Sequence, residues 1–63
     1  MPDVIVENHG SLCLVNPLSQ AAKDWIAENV SAEGQWFGRK LVVEPRYVED
    51  LINGMIGDGL TVE

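Results

Sequence analysis

Few residues of this sequence carry side chains that could do chemistry. His9 and Cys13 are its only histidine and its only cysteine, and therefore its only soft ligands for a transition metal. A metal centre needs three or four ligands, so a site built on this pair would have to borrow from another chain. The pair suits thiol catalysis no better, because Cys13 lies in an aliphatic run that disfavours a reactive thiolate. We interpret His9 as a turn residue and Cys13 as an apolar strand residue, and we expect no metal and no other cofactor.

Two pairs of carboxylates stand at spacings that could support acid–base chemistry. Asp24 and Glu28 are one helical turn apart, and Glu49 and Asp50 are adjacent. Acid–base catalysis needs a cleft that tunes two carboxyl groups differently, whereas these four fall on the polar faces of amphipathic helices. Since no nucleophile stands beside a base either, the sequence predicts a protein that is not an enzyme.

The glycines near the end of the chain could suggest a phosphate loop. Gly57 and Gly59 flank Asp58, but they close a helix at its negative end, where an anion is disfavoured. We therefore interpret them as a helix cap and a turn. Gly54 lies inside the same helix, where a glycine costs about 1 kcal/mol. It predicts that the sheet or a partner packs closely against the helix backbone.

One segment concentrates the cations and the aromatic rings. Residues 35–40, together with two residues shortly after them, hold three of the four cations and three of the four aromatic side chains. These are Trp36, Phe37, Arg39, Lys40, Arg46 and Tyr47. Such residues can bind a protein, hold an anionic or aromatic ligand, or stack on nucleic-acid bases. The alternative is that an aromatic ring fills the core and that the cations are solvated strand ends.

Length and charge limit the classes of function. The chain has 63 residues with ten carboxylates, four cations and a net charge of −6, which predicts a single domain over residues 1–63. So small a core leaves little stability for a strained catalytic pocket, and the negative charge disfavours binding to nucleic acid or to an anionic membrane. A single cysteine, no readable targeting segment and no apolar run of spanning length predict a protein of the reducing cytoplasm.

The hydrophobic pattern predicts an α+β fold with the element order β-β-α-β-β-α-β. Strands at residues 4–7 and 11–15 form a hairpin around a three-residue loop, Asn8-His9-Gly10. That register places one set of alternate residues against the helices: Val4, Val6, Leu12 and Leu14. It places the other set on the opposite face: Ile5, Glu7, Ser11, Cys13 and Val15.

Two proline-started helices follow the two strand pairs. Asn16-Pro17 predicts one helix start and Glu44-Pro45 the other, because Pro is well suited to the first helical position. The first helix runs to about Val30 and the second ends at residues 57–59. Between them, residues 31–34 form a linker, and strands at 35–38 and 40–44 meet at a bend on Gly38. Residues 60–63 form a last strand, with Leu60 and Val62 pointing inward.

A domain this small is most simply built as a small mixed sheet with both helices on one face. The other face is then uncovered, and several exposed apolar side chains together exceed what a monomer usually tolerates. We therefore predict a homodimer through the sheet and a role in protein–protein interaction, as a regulator, adaptor or inhibitor. The alternative function is a domain that binds a small anionic or aromatic ligand near Trp36, Arg39 and Arg46. The candidate interface residues are Ile5, Cys13, Val15, Trp36, Phe37, Arg39, Val42, Arg46 and Tyr47.

Several short motifs support a resemblance that covers most of the chain. They are Gly10-Ser11-Leu12, Asn16-Pro17-Leu18, Trp25, Glu28-Asn29-Val30, Gln35-Trp36-Phe37-Gly38 and residues 41–47. With these motifs the chain resembles a group of very short bacterial and phage-associated hypothetical proteins. The group has no established activity, so the resemblance implies a bacterial cytoplasmic setting and assigns no catalytic residue.

Overall fold

Two pairs of strands, each followed by a helix, make up the computed structural model, which describes residues 1–30 and 34–63. The elements are β1 (Val4–Asn8), β2 (Cys13–Pro17), α1 (Gln20–Asn29), β3 (Trp36–Phe37), β4 (Lys40–Val43) and α2 (Pro45–Gly57). The predicted α+β class is confirmed. Most of the predicted linker, residues 31–33, lies outside the described residues.

The strands form one sheet in the order β1-β2-β4-β3, and each neighbouring pair is antiparallel. A parallel contact comes from the end of the chain, where Val62 forms a bridge with Val4. The Glu63 amide donates to the Val4 carbonyl at 2.9 Å, and the Val6 amide donates to the Glu63 carbonyl at 2.8 Å. The last segment therefore adds one parallel bridge beside β1 in place of the strand predicted over residues 60–63. The predicted mixed sheet is parallel only at this bridge, because all pairs among the four named strands are antiparallel.

Both helices pack on one face of the sheet, as predicted. The core cluster joins strand residues Val4, Val15, Leu41 and Val43 to helix residues Ala22, Ile26 and Met55. Leu60 and Val62, half-buried, pack against this cluster. A chain of this size has room for one such layer, so the second face of the sheet is left to solvent.

The predicted register of the first hairpin is wrong. Val6 pairs with Val15 and Asn8 with Cys13, so Cys13 and Val15 lie on the helix side, 2% and 0% exposed, while Leu14 lies on the opposite face. The amide of His9 donates to the carbonyl of Leu12 at 2.9 Å, which leaves a two-residue loop where three residues were expected. An odd shift in register moves every side chain of a strand to the other face.

A γ-turn produces this short loop. The Ser11 amide donates to the His9 carbonyl at 3.1 Å, and Gly10 between them has φ +82°. That φ is near the value of about +75° at the centre of a γ-turn, which only glycine adopts without strain. The sequence correctly predicted that Gly10 lies in the turn. A three-residue loop would also need a positive φ at Gly10, so this glycine does not by itself reveal the length of the loop.

The predicted start of the first helix is also wrong, whereas that of the second is confirmed. Asn16 and Pro17 are the last residues of β2, and Pro17 pairs with Val4. The cap of α1 is Ser19, whose hydroxyl accepts from the Ala22 amide at 3.1 Å. In α2, Glu44 is the N-cap and Pro45 the first helical residue.

Trp25 explains the glycine inside α2. A Cβ atom added at Gly54 would lie 3.1 Å from Cζ2 of the Trp25 ring, closer than about nine in ten real Cβ contacts. The ring nitrogen of Trp25 donates to Oδ2 of Asp58 at 2.5 Å, just beyond the end of α2. The benzene edge of the Trp25 indole thus packs closely against α2 at Gly54, and the neighbour expected at Gly54 is the other helix.

Asp3 ties the two ends of the chain together. Its Oδ2 accepts from the amide of Thr61 at 2.8 Å and from the hydroxyl of Thr61 at 3.1 Å. Its backbone carbonyl accepts from the amide of Leu18 at 2.7 Å. Hydrogen bonds from the Ser19 hydroxyl and the Thr61 amide hold the pKa of the Asp3 carboxyl below its ordinary value. The charged carboxylate is thus the form that the fold prefers.

We expect this carboxylate to make the fold sensitive to acid. Because its pKa is lower in the folded chain, its contribution is complete above the ordinary carboxyl value of about 4 and is lost as the pH falls through the folded value. Thermal unfolding between neutral and strongly acidic pH should show Tm falling in that window. Asp3→Asn should lower Tm at pH 7 and make the fall of Tm at acidic pH shallower. Asp50→Asn, on the exposed side of α2, removes the same charge and should leave the fall of Tm at acidic pH unchanged. An equally shallow fall in both variants would contradict the role given to Asp3.

Candidate binding face of the sheet

The face of the sheet opposite the helices is the candidate functional site. Pairing places Glu7, Leu14 and Val42 in one row across three strands, and it pairs Ile5 with Asn16 and Phe37 with Lys40. Alternation along each strand brings all of them to one side. We call this the open face, and its residues are Ile5, Glu7, Leu14, Asn16, Phe37, Lys40 and Val42.

An apolar groove lies within the open face. Its volume is about 260 Å³, and it is lined by His9, Leu12, Leu14, Phe37 and Val42. Phe37 is 72% exposed and Ile5, on the neighbouring part of the face, is 38% exposed. A cluster of aliphatic and aromatic side chains in water gains free energy when another surface covers it, at about 25 cal/mol per Å².

An ion pair crosses the open face above β2. The ammonium of Lys40 on β4 donates to Oε2 of Glu7 on β1 at 2.5 Å, and Nε2 of His9 lies 3.6 Å from Oε1 of the same carboxylate. The hydrogen bond from Lys40 is the main cause of a lowered pKa at Glu7. Both charged side chains remain about one-third exposed, so the pair contributes little to stability. Its effect is to make the open face locally neutral.

The structure brings together only part of the predicted interface. Ile5, Phe37 and Val42 share the open face, whereas Cys13 and Val15 are in the core. Trp36 pairs with Leu41 and so lies on the helix side, 46% exposed at the edge of the sheet. Leu12 and Leu14 were assigned to the core and belong to the groove instead. A two-residue loop would have given the correct register and so would have placed Leu14 on the open face.

The cations that were expected to act together are separated. Arg39 precedes β4 and Arg46 follows it, so the two lie at opposite ends of that strand. Nε of Arg46 is 3.0 Å from Oε2 of Glu44, and its guanidinium stacks 4.8 Å from the centre of the Tyr47 ring. Arg46 and Tyr47 therefore form a local cluster at the start of α2, away from Arg39.

A second concavity contains a cation that sequence analysis did not select. Its volume is about 420 Å³, and its walls come from the end of β2, from α1 and from the β3–β4 turn. Lys23, Arg39 and Lys40 line it together with Phe37. Lys23 lies on α1, 16 residues before Arg39 in the sequence, and no local pattern linked the two.

The groups considered for catalysis are not arranged as a catalytic site. Among residues 1–30 and 34–63, no cluster of three or more His, Cys, Asp or Glu could hold a metal ion. Cys13 is buried on the helix side, while His9 is exposed at the hairpin turn. Asp24, Glu28, Glu49 and Asp50 are all exposed on the helices.

Comparisons with family models, curated proteins and solved structures gave no significant match. In the described part of the chain, neither helix is long and apolar enough to cross a membrane. The function is therefore inferred from the open face and the concavities beside it.

Proposed function

We propose that the protein is a non-enzymatic interaction module that forms a homodimer through its open face. In this role it acts as a small regulator, adaptor or inhibitor. The observation that carries the proposal is the set of apolar side chains opposite the helices: Ile5, Leu14, Phe37 and Val42. They lie on one face of a sheet whose other face already holds the core.

Charge supports a second copy of this chain as the partner. The chain carries a net charge of −6, so two copies repel each other over most of their surfaces. The open face is the exception, because its one acid, Glu7, is paired with its one base, Lys40. These charges lie on either side of β2, so a two-fold axis parallel to β2 and midway between two facing open faces would set Glu7 of each copy beside Lys40 of the other.

The size of the open face indicates a weak dimer. The four strands contain 16 residues, and at about 3.3 Å per residue and about 4.8 Å between strands they cover on the order of 250 Å². Stable complexes bury about 800 Å² per partner, so the dimer should form at micromolar or higher concentration and dissociate on dilution. A reversible, concentration-dependent association is suited to a regulator whose occupancy follows its abundance.

Two isoleucines provide a matched test. Ile5 lies on the open face, and Ile56, 54% exposed, lies on α2. Sedimentation equilibrium over a wide concentration range should show a monomer–dimer equilibrium for the unmodified chain. Ile5→Glu should weaken dimerisation about tenfold or more, because it adds a like charge to a desolvated surface. Ile56→Glu adds the same charge elsewhere and should leave the dissociation constant nearly unchanged.

Circular dichroism should show that both variants remain folded, since both side chains are exposed. Equal effects of the two substitutions would place the contact outside the open face. A monomeric unmodified chain at the highest concentration would overturn the proposal.

A further inference from the structure

The second concavity concentrates positive charge in an acidic protein. Three of the chain's four cations, Lys23, Arg39 and Lys40, line this one cavity of about 420 Å³. No Asp or Glu is among its described lining residues. Cavities of 300–1,000 Å³ are typical of sites for small molecules. We call this cavity the basic pocket.

The basic pocket retains charge that no carboxylate neutralises among the described residues. Lys40 is paired with Glu7, whereas Lys23 and Arg39 form no ion pair within 4.0 Å among residues 1–30 and 34–63. The pocket therefore has a net charge of about +2, the charge that complements a phosphate dianion. Arg39 adds the planar donor fork that binds two phosphate oxygens at once.

Phe37 adds an aromatic surface to the same pocket. Phe37 is 72% exposed and lines the cavity together with the three cations and with the apolar residues Pro17 and Leu18. An exposed phenyl ring can pack on the face of another ring at low entropic cost. We infer that the basic pocket binds a small aromatic phosphate, with the phosphate held by Lys23 and Arg39 and the ring against Phe37. This inference goes beyond the proposed dimer and depends on different cations.

Three compounds separate the two halves of the inferred site. Phenyl phosphate carries both the ring and the dianion, inorganic phosphate only the dianion, and phenol only the ring. Amide chemical shifts of the labelled full chain should move saturably with phenyl phosphate at Lys23, Phe37 and Arg39. Its affinity should exceed that of inorganic phosphate by about tenfold, and it should weaken as salt is added. Phenol binding as well as phenyl phosphate would overturn the inference.

Arg39→Gln and Lys23→Gln should each weaken phenyl phosphate binding by about fivefold or more. Arg46→Gln removes the same charge at the other end of β4 and should change the affinity less than twofold, within the range of a screened surface charge. Phe37→Leu should reduce the affinity for phenyl phosphate to that for inorganic phosphate. If Arg46→Gln weakens binding as much as Arg39→Gln does, the effect is that of overall charge and the site is rejected.

Phe37 and Lys40 border both the basic pocket and the open face. The titrations are therefore repeated in the Ile5→Glu chain, in which the dimer interface is disrupted. Retained binding there supports a site within one chain. Loss of binding in that chain would overturn the inferred site, whatever the dimerisation measurements show.

Discussion

Leu41→Ala should be the most destabilising single truncation that we consider, with an expected loss of about 2–5 kcal/mol in the free energy of unfolding. Leu41 is 2% exposed and among the largest fully buried side chains, in contact with the cluster that joins both helices to the sheet. A chain of 63 residues has a total stability on the order of 3–9 kcal/mol, so this variant should be partly unfolded at 37 °C. Urea denaturation followed by circular dichroism measures the loss.

Leu14→Ala is the matched control for this substitution. Leu14 lies on the neighbouring strand but on the open face, where it is only half-buried. Its truncation to alanine should therefore lower the free energy of unfolding of the monomer by less than about 1.5 kcal/mol. The hairpin register predicted from sequence would instead bury Leu14. A loss at Leu14 that equals the loss at Leu41 would therefore contradict the register described above.

Gly54→Ala should destabilise the protein although alanine is the better helix former. The substitution gains about 1 kcal/mol of helix propensity. It also places a Cβ atom 3.1 Å from the Trp25 ring. The ring cannot easily move away, because its nitrogen donates a hydrogen bond to Asp58. Overpacking of this kind costs about 1–3 kcal/mol, so we expect a net loss.

The effect of Gly54→Ala on the free energy of unfolding should change sign when the indole of Trp25 is removed. In a Trp25→Leu background, Gly54→Ala should become stabilising, because only the helix propensity remains. Denaturation of the two single variants and the double variant completes the cycle, with an expected coupling of about 1–3 kcal/mol. If Gly54→Ala is stabilising in both backgrounds, the contact between Trp25 and Gly54 does not constrain the helices.

Local chemistry was sufficient to predict part of the fold. Glu44-Pro45 was correctly interpreted as the start of α2 and residues 57–59 as its end, since caps and proline act through their own backbone. The bend at Gly38, with φ +62°, also followed from a local preference. The single layer of helices was predicted from the small size of the chain.

The errors come from competition between local signals that only tertiary contacts resolve. Asn16-Pro17 and Ser19 can each begin a helix, and the pairing of Pro17 with Val4 selects Ser19. Gly10 is compatible with a two-residue or a three-residue loop, and the burial of Val15 against the helices selects the shorter one. Because the register has a period of two residues, this single choice moved Leu14 into the candidate site and Cys13 out of it.

The candidate sites depended on the same long-range information. The open face was predicted as a surface, and Ile5, Phe37 and Val42 were selected from it as interface candidates. Glu7 was also placed on this face, but Leu14 was assigned to the core. Lys23 was missed in the basic pocket because it approaches Arg39 only when α1 packs on the sheet. Arg46 was grouped with Arg39 by proximity in sequence, and the length of β4 separates them.

The central claim is that the open face is the contact between two copies, and isotope-filtered NMR tests it most directly. A mixture of labelled and unlabelled chains at high concentration reports only contacts between different molecules. We predict intermolecular contacts from the methyl groups of Ile5, Leu14 and Val42 and from the ring of Phe37. Intermolecular contacts confined to the helices, such as those of Ile56, or none at all would contradict the claim.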